Sequence, residues 1–418
     1  MCIRDSLWRA ADFRGDREGT AVGLALIDQS LEIFARVPEG PGHLHALNHK
    51  QLLLRDLGRY DEAVATVRAA VEVAQRVGDL RQHRHHLVTL AAHEGAIGDV
   101  KAAFDLLAQA RALLAEHTDP LGDIRSAVIA TDVLLICGRP LEEVEEAARP
   151  GLEVAQSRGI DSGMTMILTA NLAAARLRAG RVAAADALIA VRSDEPPDLA
   201  RWPLELLRAD VDIRQGRVVE AADRIHFVFG EITTEDEVDL EALCKVVEAD
   251  FWSEATDLTL PRLLHDIEVV VDSYPVREIV PALVAATRAV AEEAARRRAE
   301  SDAARSRARD ILARINLRVR GPDRQDPCLR AHLATAEAEL ARTEDHHHPG
   351  PWTRAATAWD ALQRPHDAAY CRWRAAQASA REGQGTVAAR LLKRAATEAR
   401  EHVPLSSAIA RTAASTRG

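Results

Sequence analysis

The chain has 418 residues, a formal net charge of −10 and an apolar content of 47%, of which aromatics make up only a small part at 4% of all residues. That length exceeds one ordinary hydrophobic core, and a surplus of small aliphatic side chains suits helices packed closely in series. The acidic balance argues against direct contact with a phosphate backbone, and no apolar run approaches the roughly 18 residues that span a bilayer.

Five cysteines, Cys2, Cys137, Cys244, Cys328 and Cys371, are scattered and form no C-x-x-C pair, so neither a disulfide framework nor a zinc ribbon is expected. A soluble protein of a reducing cytoplasm fits these features. The opening stretch from Met1 to Ser6 resembles translated sequencing adapter. Residues 1–19 are therefore read as a partial segment, with 1–6 artefactual, and both ends are expected to be cut.

Residues 20–232 carry a repeated punctuation in which a glycine closes one amphipathic helix and an Ala/Glu-rich helix begins two or three residues later. Its copies are Leu57-Gly58-Arg59, Ile97-Gly98-Asp99, Cys137-Gly138-Arg139, Ala179-Gly180-Arg181 and Gln215-Gly216-Arg217. The glycines stand 40, 40, 42 and 36 residues apart, a period that holds two helices and marks a helical solenoid. Around the first turn Leu47, Leu52, Leu53 and Leu57 precede, and Val64, Val67, Val71 and Ala74 follow, at helical steps. Neither half can bury its stripe alone, so the hairpins must stack.

Residues 233–320 are less regular. A capped helix start is expected over 232–238, breaks near Leu258 to Pro261 and Ser273 to Pro275, and one or two long, charge-rich helices from Val276 to about Arg320. Residues 321–418 form the last set of helical repeats: a loop from Glu344 to Pro351, then helices over Trp352 to Leu362, His366 to Arg381 and Thr386 to Glu401. The expected architecture is all-α, a tetratricopeptide-like α-solenoid of stacked antiparallel hairpins.

Candidates for chemistry are few. His83, His85, His86 and His93 could suggest a metal site and, through it, a helical metal-dependent hydrolase. His86 and His93 are two helical turns apart, however, and H-E-x-x-H fails because Ile97 occupies its last position. A solvated or groove-lining cluster is the expectation. His346, His347 and His348 sit in a loop without a preorganised surround. Glu142, Glu143, Glu145 and Glu146 suit the positive end of a helix facing water. Arg296 to Arg309 is the one basic stretch; its acids, Glu292 with Arg296, Glu293 with Arg297 and Arg298 with Asp302, are spaced for intrahelical pairing. Trp352, Trp359, Tyr370 and Trp373 have near-helical spacing and are expected in the core. No phosphate loop, nucleophile elbow or dinucleotide fingerprint occurs, so no catalytic, cofactor or metal residue is assigned.

The segment from Trp359 to Arg374, with Leu362, Arg364, Pro365, Ala368, Ala369, Tyr370 and Trp373, resembles the end of the helical region in large ATP-binding LuxR-type, MalT-like transcription regulators. Gln363 stands where that family usually has glycine. Arg201-Trp202-Pro203 and Arg208-Ala209-Asp210 are similar to the same proteins. The resemblance implies a non-catalytic sensor arm that binds an inducer or protein on its concave face. It also implies an ATPase upstream, where ATP would bind, and a helix-turn-helix downstream; a free-standing protein-binding scaffold is the alternative. Groove residues are expected on the first helix of each hairpin.

Overall fold

A computed structural model describes residues 20–113, 119–190, 201–232, 240–253, 259–272, 274–296, 302–319, 325–343 and 348–416. The adapter-like opening, most of the proposed cap over 232–238, and His346 and His347 lie outside the described residues. Among those described there are twenty helices and no strand. The first ten are α1 (Thr20–Phe34), α2 (Pro41–Asp56), α3 (Tyr60–Val77), α4 (Leu80–Ala96), α5 (Val100–Ala112), α6 (Pro120–Ile136), α7 (Leu141–Arg158), α8 (Gly163–Arg178), α9 (Val182–Ala190) and α10 (Arg201–Arg214). There follow α11 (Val218–Ile232), α12 (Leu240–Ser253), α13 (Thr259–Val270), α14 (Val276–Arg296), α15 (Asp302–Arg318), α16 (Pro327–Thr343), α17 (Pro349–Ala361), α18 (Pro365–Arg381), α19 (Gly385–Glu398) and α20 (Val403–Ser415). The charge-rich stretch thus forms two helices, α14 and α15.

The glycine turns share one geometry. Gly58, Gly98, Gly138, Gly180 and Gly216 all have positive φ. The residue after each donates its backbone N–H to the carbonyl four residues before the glycine, as in Arg59 to Leu54, Asp99 to Glu94 and Arg139 to Leu134. This is the Schellman closure, in which a left-handed residue lets the chain satisfy the last carbonyls of a helix and reverse. Gln363 takes the same role at φ 55, with Arg364 N donating to Trp359 O. The turn survives the loss of glycine, and the strain falls on a side chain with a Cβ.

Each hairpin pairs a first helix (α2, α4 and onward by twos) with a second (α3, α5 and onward). First helices also pack on one another, α4 on α6, α6 on α8, and so on to α14 on α16, making an inner layer. Burial follows this placement. α6, enclosed by its partner and two inner neighbours, buries Ile124, Ala127, Val128, Ala130, Thr131, Val133, Leu134 and Leu135, residues from most of its circumference. α7, on the outside, buries one stripe: Leu141, Val144, Ala148, Gly151 and Ala155. A helix apolar on many sides belongs inside, and a striped one covers it. The chain is a tetratricopeptide-like α-solenoid of stacked antiparallel hairpins.

The solenoid is wound tightly enough to meet itself. An ideal Cβ on Gly98 would lie 2.2 Å from the Arg277 guanidinium, on Gly138 2.8 Å from Cys328 Cβ, on Gly180 2.7 Å from Pro365 Cγ, and on Gly216 3.3 Å from Val403 Cγ1. In helices, the C-terminal turn of α4 sits on the start of α14, α6 on α16, α8 on α18 and α10 on α20. Every step is ten helices, so five hairpins complete one superhelical turn.

These junctions set the carbonyl end of one helix near the amide end of another, which brings opposite ends of their dipoles together. Arg277 stitches the first of them, donating to Ile97 O at 2.8 Å and to Asp326 at 2.9 Å. Glu401 accepts from the N–H of Ala183 at 2.8 Å, supplying negative charge at the start of α9. Tyr60 donates to Glu278 at 3.2 Å across 218 residues of sequence.

Candidate ligand cavity inside the superhelical turn

Winding the first helices into a ring leaves a space at its centre. The cavity measures about 180 Å³, and its wall takes Arg214 from α10, Lys245 and Glu248 from α12, Arg288 from α14, Thr335 from α16, Tyr370 from α18 and Leu405 from α20. All six are first helices. Trp359, in the last turn of α17, and Arg364, just before α18, complete one side. On α12, Lys245, Glu248 and Trp252 recur at steps of three and four; on α14, Pro281, Val284, Ala285 and Arg288 do the same, so each helix turns one face inward.

The wall is polar and its charges are mostly paired. Asp210 binds Arg214 Nε at 2.7 Å and Lys245 Nζ at 2.6 Å. Burial opposes ionisation of Asp210, but the two cations hold its carboxyl well below the usual range. Asp367 is likewise buried yet lowered to about 2 by Arg364 and Arg214. Behind the wall, Glu339 accepts from Tyr370 Oη at 2.5 Å and Arg342 Nε at 3.0 Å, while Glu292 pairs with Arg342 at 2.9 Å and with Arg374. Arg374 in turn donates to Tyr370 Oη at 3.0 Å.

Three histidines border the cavity as neutral rings. Burial lowers His332 to about 4 and His366 to about 3, and holds His402 well below its ordinary value, with neighbouring arginines adding to each effect. His332 Nδ1 donates to Cys328 O at 2.9 Å, and His366 Nδ1 accepts from Arg214 at 2.8 Å. Trp359 Nε1 donates to Thr335 Oγ1 at 2.9 Å. Cys371 lies 3.9 Å from that hydroxyl, and burial pushes its thiol up to about 12. Cys328 Sγ approaches His332 Nδ1 at 3.6 Å, but burial raises this thiol too, and a thiol nucleophile needs the opposite shift.

Trp352, Trp359, Tyr370 and Trp373 are all buried in the C-terminal core, as their spacing indicates. Of these, Trp359 and Tyr370 also reach the cavity wall. Of the N-terminal histidines, expected to be solvated or groove-lining, His86 and His93 are not solvated: His86 is 0% and His93 6% exposed, while His83 and His85 are half-buried. His85 Nε2 meets Asn48 at 3.2 Å and His93 Nε2 meets Gln51 at 3.1 Å. Burial lowers His85 to about 3, and His86 and His93 to about 4. Among the described residues no group of three or more His, Cys, Asp or Glu side chains is placed to hold a metal ion.

His348 caps α17 by accepting from Gly350 N at 3.0 Å. The acid run stays at the surface with arginine partners, Glu143 to Arg139 at 2.8 Å and Glu146 to Arg149 at 2.5 Å. Each expected intrahelical pair of the basic stretch involves Arg296, Arg297 or Arg298, whose side chains lie outside the described residues. Glu292 bonds Arg342 and Arg374, Asp302 pairs with Arg305, and Arg307 binds Glu268 at 2.8 Å. Glu292 and Glu268 are bound by arginines of other helices, while Asp302 pairs within its own helix. No described helix is long and apolar enough to cross a membrane.

The fold and cavity define a helical-repeat protein with a polar interior. No family model matches the chain, and no curated protein matches it. Solved structures similar to it include a monomeric mutant of IFIT1 with m7Gppp-AAAA, 12% identical over 94% of this chain and 90% of that one, with a TM-score of 0.43. Another is the human IFIT1 dimer with PPP-AAAA, 15% identical over 92% of this chain and 88% of that one, with a TM-score of 0.39. The fold assignment rests on the helix order and turn geometry described above.

Proposed function

We propose that the chain is a non-catalytic binding scaffold whose ligand is held inside the superhelical turn. The observation that carries this reading is the cavity ringed by six first helices, with charged side chains facing a common space. Such convergence of polar groups in a concave site is the usual mark of recognition. The buried thiols and neutral, hydrogen-bonded histidines supply no activated nucleophile beside a base. A space of 180 Å³ admits a small molecule, so a protein partner would engage the outer faces or the rim.

The test is cavity filling. Ala285 faces the cavity from α14. In the small-molecule fraction of a cell extract the purified chain should melt at a higher temperature, and Ala285→Phe should abolish that rise while melting normally alone. Equal stabilisation of both proteins would place the ligand elsewhere and end the reading.

A second reading rests on the LuxR-type resemblance of Trp359 to Arg374. In it the scaffold is the sensor arm of a signal-responsive regulator, and occupancy of the cavity biases that regulator between two forms. A longer reading frame encoding a phosphate loop upstream and a helix-turn-helix downstream would support it; start and stop codons bounding the arm alone would remove it.

A further inference from the structure

The charges around the cavity leave two groups over. Arg214 and Lys245 share Asp210, Arg364 has Asp367, and Arg342 and Arg374 have Glu292 and Glu339. Arg288 is not matched in this way. Its Nε has no partner, and its nearest carboxylate oxygen, on Glu339, stands 3.9 Å away and already accepts from Tyr370. Its guanidinium lies 4.1 Å over the Tyr370 ring, which fixes its plane without supplying an acceptor. Glu248, one helix away on α12, forms no hydrogen bond or ion pair among the described residues and acts on Arg214, Lys245 and Arg288 only through space.

Both leftover groups line the same cavity. Arg288 is 16% exposed and Glu248 half-buried, and charges withdrawn from water are ordinarily paired, because removing them is costly unless an opposite charge stands beside them. An occupant able to satisfy both offers an anion to the guanidinium, whose planar fork a carboxylate matches, and a cation to Glu248. The neighbouring histidines are neutral and hydrogen-bonded, so they supply neither charge. Val247, Val284, Trp252 and Leu405 give the rest of the wall an apolar character. The volume falls below the roughly 300 Å³ at which drug-sized pockets begin, which limits the occupant to about ten heavy atoms.

We propose that this cavity is a site for a free, apolar α-amino acid, its carboxylate on Arg288 and its ammonium on Glu248. The assignment rests on the binding role proposed above and names the ligand class for it.

The test uses the full chain and three probes of one shape: L-leucine, 4-methylpentanoate, which lacks the ammonium, and isopentylamine, which lacks the carboxylate. Calorimetry should show L-leucine, or another member of a panel of apolar L-amino acids, binding at least ten-fold more tightly than its one-charge analogues. Glu248→Gln, which preserves shape, should erase the preference for the amino acid over the carboxylate. Arg288→Met should abolish both, and if that variant fails to fold, Glu248→Gln still decides. Binding by the carboxylate equal to that of the amino acid, or silence across the panel, overturns the assignment. If the panel is silent while extract still stabilises the wild type and not Ala285→Phe, the binding role stands and only the ligand class falls.

Discussion

Gly138 and Gly159 form a matched pair for testing the self-contact of the solenoid, since their φ angles are 63° and 62°. Adding a methyl to either imposes the left-handed penalty on a residue with a Cβ, about 1–2 kcal/mol. At Gly159 nothing lies within 4 Å of the new atom, so the cost ends there. At Gly138 the methyl would meet Cys328 Cβ and Sγ at 2.8 Å, at the start of α16. Sγ can turn away, but Cβ is fixed to its backbone, so the α6–α16 junction must open, adding about 1–3 kcal/mol of overpacking. Urea unfolding followed by circular dichroism should give Gly138→Ala the lower midpoint of the two alanine variants. Hydrogen exchange should show α16 loosened only in that variant. Equal midpoints and unchanged α16 protection would refute the stacking of turns five hairpins apart.

Other expectations follow from the same structure. Arg277→Met removes the bonds to Ile97 O and Asp326 from a side chain only 7% exposed and should cost roughly 3 kcal/mol in urea titrations. Trp359→Phe keeps an aromatic ring but deletes the pyrrole half of a buried indole together with its Thr335 hydrogen bond, so thermal melts should register a loss of about 2–4 kcal/mol. Because burial lowers His85, His86, His93, His332 and His366 to about 3 or 4, the unfolded chain takes up protons first as pH falls below about 6.5. Their contribution to stability is intact above that pH, is lost as pH falls, and levels off near the folded values, each group adding up to about 1.4 kcal/mol per pH unit. His86 has both ring nitrogens buried without partners, so His86→Leu should remove about one proton from that dependence without unfolding the chain. A full slope in this variant would contradict the burial of His86.

Much of the local structure was legible in the residues. The glycine turns, the helix order and the burial of Trp352, Trp359, Tyr370 and Trp373 depend on near neighbours, and periodicity records those. The burial of His86 and His93 could also have been found, since Leu90 lies between them at helical steps on the same face. What escaped was the winding. Nothing local in Gly138 says that Cys328 will lie against it, because that contact sums small rotations over five hairpins. The cavity escaped for the same reason. Arg288 on α14 and Glu248 on α12 read as ordinary charges on amphipathic helices until the ring brings their faces to one space. The approach of Arg342 and Arg374 to Glu292 escaped too, because only intrahelical spacing is visible in sequence.

The central claim, that the chain closes on itself once every five hairpins, can be measured with a covalent probe. The ideal Cβ on Gly216 lies 3.6 Å from Val403 Cβ, within the range a disulfide spans. Under mild oxidation the double variant Gly216→Cys, Val403→Cys should form an intramolecular bond linking residues 187 apart, read as a crosslinked peptide by mass spectrometry. Gly78→Cys with Val403→Cys should not, because nothing lies within 4 Å of Gly78. Absence of the first bond, or equal crosslinking in both variants, would contradict the superhelix described here.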